Sequence, residues 1–146
     1  MDAAEKRAEI EARRAARKAA LEQARSAQEV LDLEAFDALE VEHGDGNVAQ
    51  LELDRFVEGF PTFVVVRAPS SMQYKRFTDQ VRKSVEKNNM TARGQAQELL
   101  GQSCWVYPAA GEEQKKMLDQ FPGLLVSLAV KAAKLVEASA ADEGKG

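Results

Sequence analysis

The sequence predicts an α+β fold: a small antiparallel three-stranded sheet, then a helical C-terminal half, with a long helix projecting at the N-terminus. Three observations carry this. Residues 2–29 are almost wholly Ala, Glu, Arg, Lys and Gln, with no Gly or Pro, and these are strong helix formers. Residues 39–66 contain apolar/polar alternation and a continuous Phe63-Val64-Val65-Val66 run, the patterns of half-buried and fully buried strands. Beyond Ser70 the large apolar residues recur three and four apart, which places them on single helix faces. At 146 residues the chain has the length of one domain, divided into an arm (1–29), a main domain (30–138) and a loose tail (139–146).

In the arm, Asp2 and Lys6, and Glu9 and Arg13, stand at i,i+4 in the favourable orientation. Ile10 and Leu21 are its only large apolar side chains, too few for a coiled-coil seam, which needs sustained apolar positions. The arm therefore reads as a solvated helix roughly 42 Å long at 1.5 Å per residue. Residues 30–37 fit either a helical end or a leading strand. Leu39, Val41 and His43 alternate with glutamates, then come Gly44-Asp45-Gly46-Asn47 and the alternating Ala49, Leu51 and Leu53. This predicts a hairpin with one acidic face. Phe63–Val66, bracketed by Pro61 and Pro69, is the third and most buried strand.

Ser70 or Ser71 can cap a helix whose apolar stripe is Tyr74, Phe77, Val81 and Val85, ending at Lys87-Asn88-Asn89. Thr91 is expected to cap the next helix, stopped near Gly101. Ser103–Pro108 is extended or a helix end. Gly111–Gln120 reads as a short amphipathic helix, and Leu124–Ala138 as a last, strongly apolar one.

Composition and motifs exclude several functions. Twenty basic against 24 acidic groups leave a net charge of −4, so there is no global basic field for nucleic acid. The charge is uneven. Residues 30–60 hold nine acidic groups and one Arg, whereas residues 61–93 hold seven basic groups against two acidic. One Cys and one His exclude an intramolecular disulfide and a Cys/His metal cluster. No apolar run approaches a membrane span and no signal-peptide pattern is seen. The chain lacks GxxxxGK[ST], GxGxxG and HExxH. Cys104 reads as a buried hydrophobe and His43 as a rim residue, with no motif joining them as nucleophile and base. The expectation is no enzyme, no cofactor and no metal.

Two surfaces remain. Lys75, Arg76, Arg82, Lys83 and Lys87 lie off the apolar stripe of their helix and form a basic face suited to steering an acidic partner. The last helix is apolar around most of its circumference, so it is either central to the core or shared with another chain. Leu124, Leu125, Leu128, Val130, Leu135 and Val136, with Trp105 and Phe121 nearby, are the candidate partner-binding residues.

From about Leu39 to Val136 the order of pieces resembles the tail assembly chaperones of long-tailed bacteriophages. The parts are an acidic hairpin, VVVRAPSSMQYKRF (64–77), LLGQSCWVYP (99–108) and GEEQKKMLDQFPGLLVSLAVKAAKLV (111–136). The charged short helix, Phe-Pro-Gly and Ala/Leu-rich helix of that ending is its most characteristic part. The arm at 2–29 is outside the pattern. The resemblance implies a non-enzymatic protein of the host bacterial cytoplasm that binds the tape measure protein and tail-tube subunits during tail morphogenesis. Homo-oligomers stay open, and no membrane or nucleic-acid partner is expected. The alternatives are a structural virion protein or adaptor docking through the N-terminal helix, and a nucleic-acid-associated module using the basic helix.

Overall fold

A computed structural model describes the backbone of residues 2–145 and the side chains through Ala138. The last helix, expected to end at Ala138, runs on to Lys145 in the backbone; the side chains of the tail expected at 139–146 lie outside the described ones. The elements are α1 (Ala3–His43), β1 (Val48–Glu52), β2 (Phe63–Arg67), α2 (Ser71–Glu86), α3 (Met90–Cys104), β3 (Trp105–Tyr107), α4 (Glu112–Gln120) and α5 (Leu124–Lys145). The fold is α+β, with a three-stranded antiparallel sheet in the order β1-β2-β3.

The sheet lies between two helical layers because β2 is apolar on both faces. Val64 and Val66 pack with Leu100, Leu128, Ala129 and Ala132 of α3 and α5. Phe63 and Val65 face the other way, onto Phe36 and Leu39 of α1. All four β2 residues are buried, as a strand covered on both sides requires. The rings of Phe36 and Phe63 meet edge to face at 6.2 Å, a favoured aromatic geometry.

Three sequence expectations are corrected. Leu39–His43 is not a strand; α1 runs through it to His43. Five alternating residues also fit a helix, and extending an existing helix adds one hydrogen bond per residue without a new nucleus. The Gly44–Asn47 turn therefore joins helix to strand. Gly44 takes φ +93°, its N–H donates to the Glu40 carbonyl at 2.8 Å, and Asn47 Nδ2 donates to the His43 carbonyl at 2.9 Å. The sheet's third strand comes instead from Trp105–Tyr107, on the far edge of β2.

The second correction is the cap of α3. It is Asn89, whose Oδ1 accepts from Ala92 N at 3.1 Å, and not Thr91. Third, Gly101 does not stop α3. It is buried within it, and a Cβ there would meet the Leu125 carbonyl oxygen of α5 at 2.1 Å. Glycine here serves the close approach of two helix backbones.

Ser70 caps α2 as expected: its Oγ accepts from Gln73 N at 3.2 Å, and Gln73 Oε1 accepts from Ser70 N at 2.9 Å. That reciprocal pair is a capping box.

One residue fixes α1 to the sheet. Asp32 is fully buried and its carboxylate accepts four hydrogen bonds. The donors are Gln28 Nε2 at 2.9 Å, Thr62 N at 2.7 Å, Thr62 Oγ1 at 2.6 Å and Tyr107 O–H at 2.5 Å. These satisfy the charge without a cation. They link α1 to the residue before β2 and to the end of β3. From Asp2 to Ala27 every α1 side chain is exposed or at most half-buried, so the arm stands clear of the domain.

Candidate functional site: a groove between α2 and α3

α2 packs chiefly on α3, and its only buried residue is Ser84. A helix so lightly embedded leaves a groove along its seam with α3. The upper part, about 450 Å³, is lined by Gln80, Lys83, Ser84, Lys87, Asn89, Ala92, Gln95, Ala96 and Leu99. A smaller continuation of about 120 Å³ adds Gln73, Arg76, Phe77, Leu100 and Ser103. The floor is made of small or apolar residues, which lets another backbone approach closely. The rim carries Arg76, Lys83 and Lys87, and among the described residues no carboxylate lines either part.

The ends of the groove are fixed. Arg67, at the end of β2, donates to the Gln73 Oε1 and Ala68 carbonyl at 3.1 Å each and to the Ser103 carbonyl at 3.0 Å. One guanidinium thereby ties the start of α2 to the end of α3. At the other end the Asn89 N–H donates to the Ser84 carbonyl at 2.8 Å. Between these ties apolar surface stays open. Leu99, in the groove, is 54% exposed, and Met72, near its lower end, is 75% exposed. Methionine is a common gap-filler at adaptable protein-binding surfaces.

Part of the predicted basic face forms this rim. Arg76, Lys83 and Lys87 line the groove, and Lys75 borders a shallow extension beside Met72 that Asp79 also lines. Arg82 points elsewhere and lies 3.5 Å from Asp79. Of the predicted stripe, Tyr74, Phe77 and Val81 are half-buried and Val85 is exposed; Ser84 takes the buried position.

The α5 residues have a different placement. Leu124, Leu128, Trp105 and Phe121 are buried in the main core, and Leu125 and Leu135 pack against it. Val136 is half-buried, and Val130 is 46% exposed. Of these eight, Val130 is the exposed one. α3 and the sheet cover one side of α5, while Val126 and Val130 stay exposed on the other. A recess of about 330 Å³ does open beside Phe121 and Leu124, between the β1–β2 connection and α5. Arg55 sits in it, 4.9 Å above the Phe121 ring, with Nη2 donating to the Gln120 carbonyl at 3.1 Å.

His43 and Cys104 do not meet. His43 ends the helix on one face of the sheet, while Cys104 is buried in the core on the other. Burial raises the Cys104 thiol above its ordinary range, partly offset by the Arg67 charge. A raised thiol is a poor nucleophile. Among the described residues no group of three or more His, Cys, Asp or Glu is placed to hold a metal ion, and no helix is long and apolar enough to cross a membrane.

Sequence reasoning missed the groove because it depends on what α2 leaves uncovered. Ala92, Ala96 and Leu99 at spacings of four and three were its visible trace. No family model, no curated protein and no solved structure matches the chain.

Proposed function

We propose that this protein is a non-enzymatic tail assembly chaperone of a long-tailed bacteriophage, acting in the host bacterial cytoplasm on the tape measure protein and tail-tube subunits. A tape measure polypeptide exposes long apolar helical stripes that aggregate before assembly. The observation that carries the reading is the open α2–α3 groove, with its small-residue floor and carboxylate-free basic rim. Such a groove suits helix-in-groove recognition. Ala92, Ala96 and Leu99 offer the apolar track, and Arg76, Lys83 and Lys87 favour a guest helix flanked by acidic residues. The sequence resemblance at 64–77, 99–108 and 111–136 points to the same role. The α5 helix supports the floor from beneath through Gly101 and Ala129.

The test is co-expression with the tape measure protein encoded by the same phage. Wild-type chain raises its soluble recovery. L99E, and separately K83E/K87E, abolish most of that gain while leaving the variant itself folded. Equal rescue by all three, or no rescue by wild type, refutes the reading. The long exposed arm favours a second reading, a virion protein docked through α1, which predicts the chain in purified particles.

A further inference from the structure

The arm of α1 segregates charge. At 3.6 residues per turn, Lys6, Arg7, Arg14, Arg17, Lys18 and Arg25 fall within ~60° of one line along the helix; these are six of the seven basic residues in 1–29. Ile10 and Leu21 lie on that line, 47% and 42% exposed. The acidic side chains flank it on both sides: Glu11, Glu22 and Glu29 on one, Asp2 and Glu9 on the other. Among the described residues, Arg13, outside the sector, is the arm cation that forms an ion pair, with Glu9. Among the described residues the six cations of the sector form none, and Arg14 stands i,i+3 and i,i+4 from Arg17 and Lys18, a spacing at which like charges repel.

The same line, continued, is the face that docks on the sheet through Asp32, Phe36 and Leu39. The arm therefore carries onward a contact face that has no layer beneath it. We propose that this face is a docking site for an acidic α-helix of a partner protein, one presenting carboxylates opposite Arg7, Arg14 and Arg17 and aliphatic side chains opposite Ile10 and Leu21. Those five positions recur at spacings of three and four, so they share one helix face that a single partner helix can cover; with arginine at three of them, charge and not an apolar seam holds the pair. An apolar partner seam would leave three guanidiniums desolvated and unpaired, so the complement must be acidic. Duplex DNA fits worse. A groove surrounds an inserted helix with phosphates on both sides, and here those phosphates would face glutamates. The site is separate from the α2–α3 groove and does not rest on the chaperone reading.

The test uses the full chain and three labelled probes in fluorescence anisotropy. They are a synthetic helical peptide of about 28 residues, with glutamates opposite the arginine positions and leucines at the aliphatic ones, its lysine counterpart, and a random-sequence duplex DNA. The glutamate peptide binds, and its Kd rises roughly tenfold or more between about 50 and 300 mM salt. R7Q/R14Q/R17Q, with helix content unchanged by circular dichroism, weakens it by at least about tenfold, whereas K83E/K87E leaves it within about twofold. The proposal is overturned if the glutamate peptide fails to bind at low salt or if the lysine peptide or the DNA binds as tightly. It is also overturned if K83E/K87E, and not the arginine variant, removes binding.

Discussion

Removing the Asp32 carboxylate should loosen the whole α1 layer. In D32A the side chains of Gln28, Thr62 and Tyr107, and the Thr62 N–H, lose one common acceptor, at distances of 2.5–2.9 Å. A hydrogen bond to a charged group contributes about 1.5–3 kcal/mol, but the four share one carboxylate and do not add. Thr62 and Tyr107 are half-buried, so water re-forms part of what is lost. The net cost works out at about 3–5 kcal/mol for D32A. D32N keeps one acceptor oxygen but turns an NH₂ towards incoming donors, costing about 2–3 kcal/mol. On a chain of this size these losses lower Tm by roughly 10–15 °C and 5–10 °C. The assay is urea unfolding followed by the single tryptophan, Trp105, buried beside the network, with amide exchange across 31–43 as the local readout. Wild-type stability in D32N within about 0.5 kcal/mol, or a D32A loss below about 1 kcal/mol, would refute the role given to Asp32.

Three further outcomes follow from the same geometry. G101A drives a methyl into the Leu125 carbonyl, and because backbone cannot swing aside it should destabilise by about 2–3 kcal/mol despite alanine's better helix propensity; a stabilised G101A in urea denaturation would contradict the close α3–α5 contact. Burial first, then the hydrogen bond to Asp32 and the charges of Asp32 and Glu113, raise the Tyr107 hydroxyl well above its ordinary value near 10. Above pH 10 the unfolded chain therefore loses this proton while the native one keeps it, so stability falls as pH rises from there; Y107F should remove that decline, and an unchanged alkaline slope in Y107F would count against it. Cys104, buried with its thiol raised, should label with a thiol-specific disulfide reagent only at the rate of unfolding; fast labelling under native conditions would show the core to be open there.

Much of the fold was legible because its patterns are local. Phe63–Val66 announced a strand covered twice, Ser70 or Ser71 announced a cap, and GEEQKKMLDQ announced a short helix. The failures share a cause. Five alternating residues at 39–43 cannot distinguish a strand from the last turn of a long helix, because the deciding contacts, Phe36 and Leu39 on Phe63 and Val65, are made across the chain. Gly101 looks like a stop in sequence and is a contact point in space, since its meaning lies with Leu125. Asp32 had no signal at all: one acid among nine in 30–60, distinguished only by Thr62 and Tyr107 reaching it from 30 and 75 residues away. The candidate surface was half legible. The cations of α2 were visible, but the apolar residues beside them come from α3, while Leu124 and Leu128 of α5 lie in the core.

The sharpest check on guest binding is a photo-crosslinking side chain placed at residue 99, in the groove, and separately at residue 130, on the exposed side of α5, each co-expressed with the tape measure protein. Adducts from position 99, absent when Lys83 and Lys87 are reversed to glutamate, are the expected result. Adducts from position 130 with none from 99 would place the guest on α5 and contradict the groove.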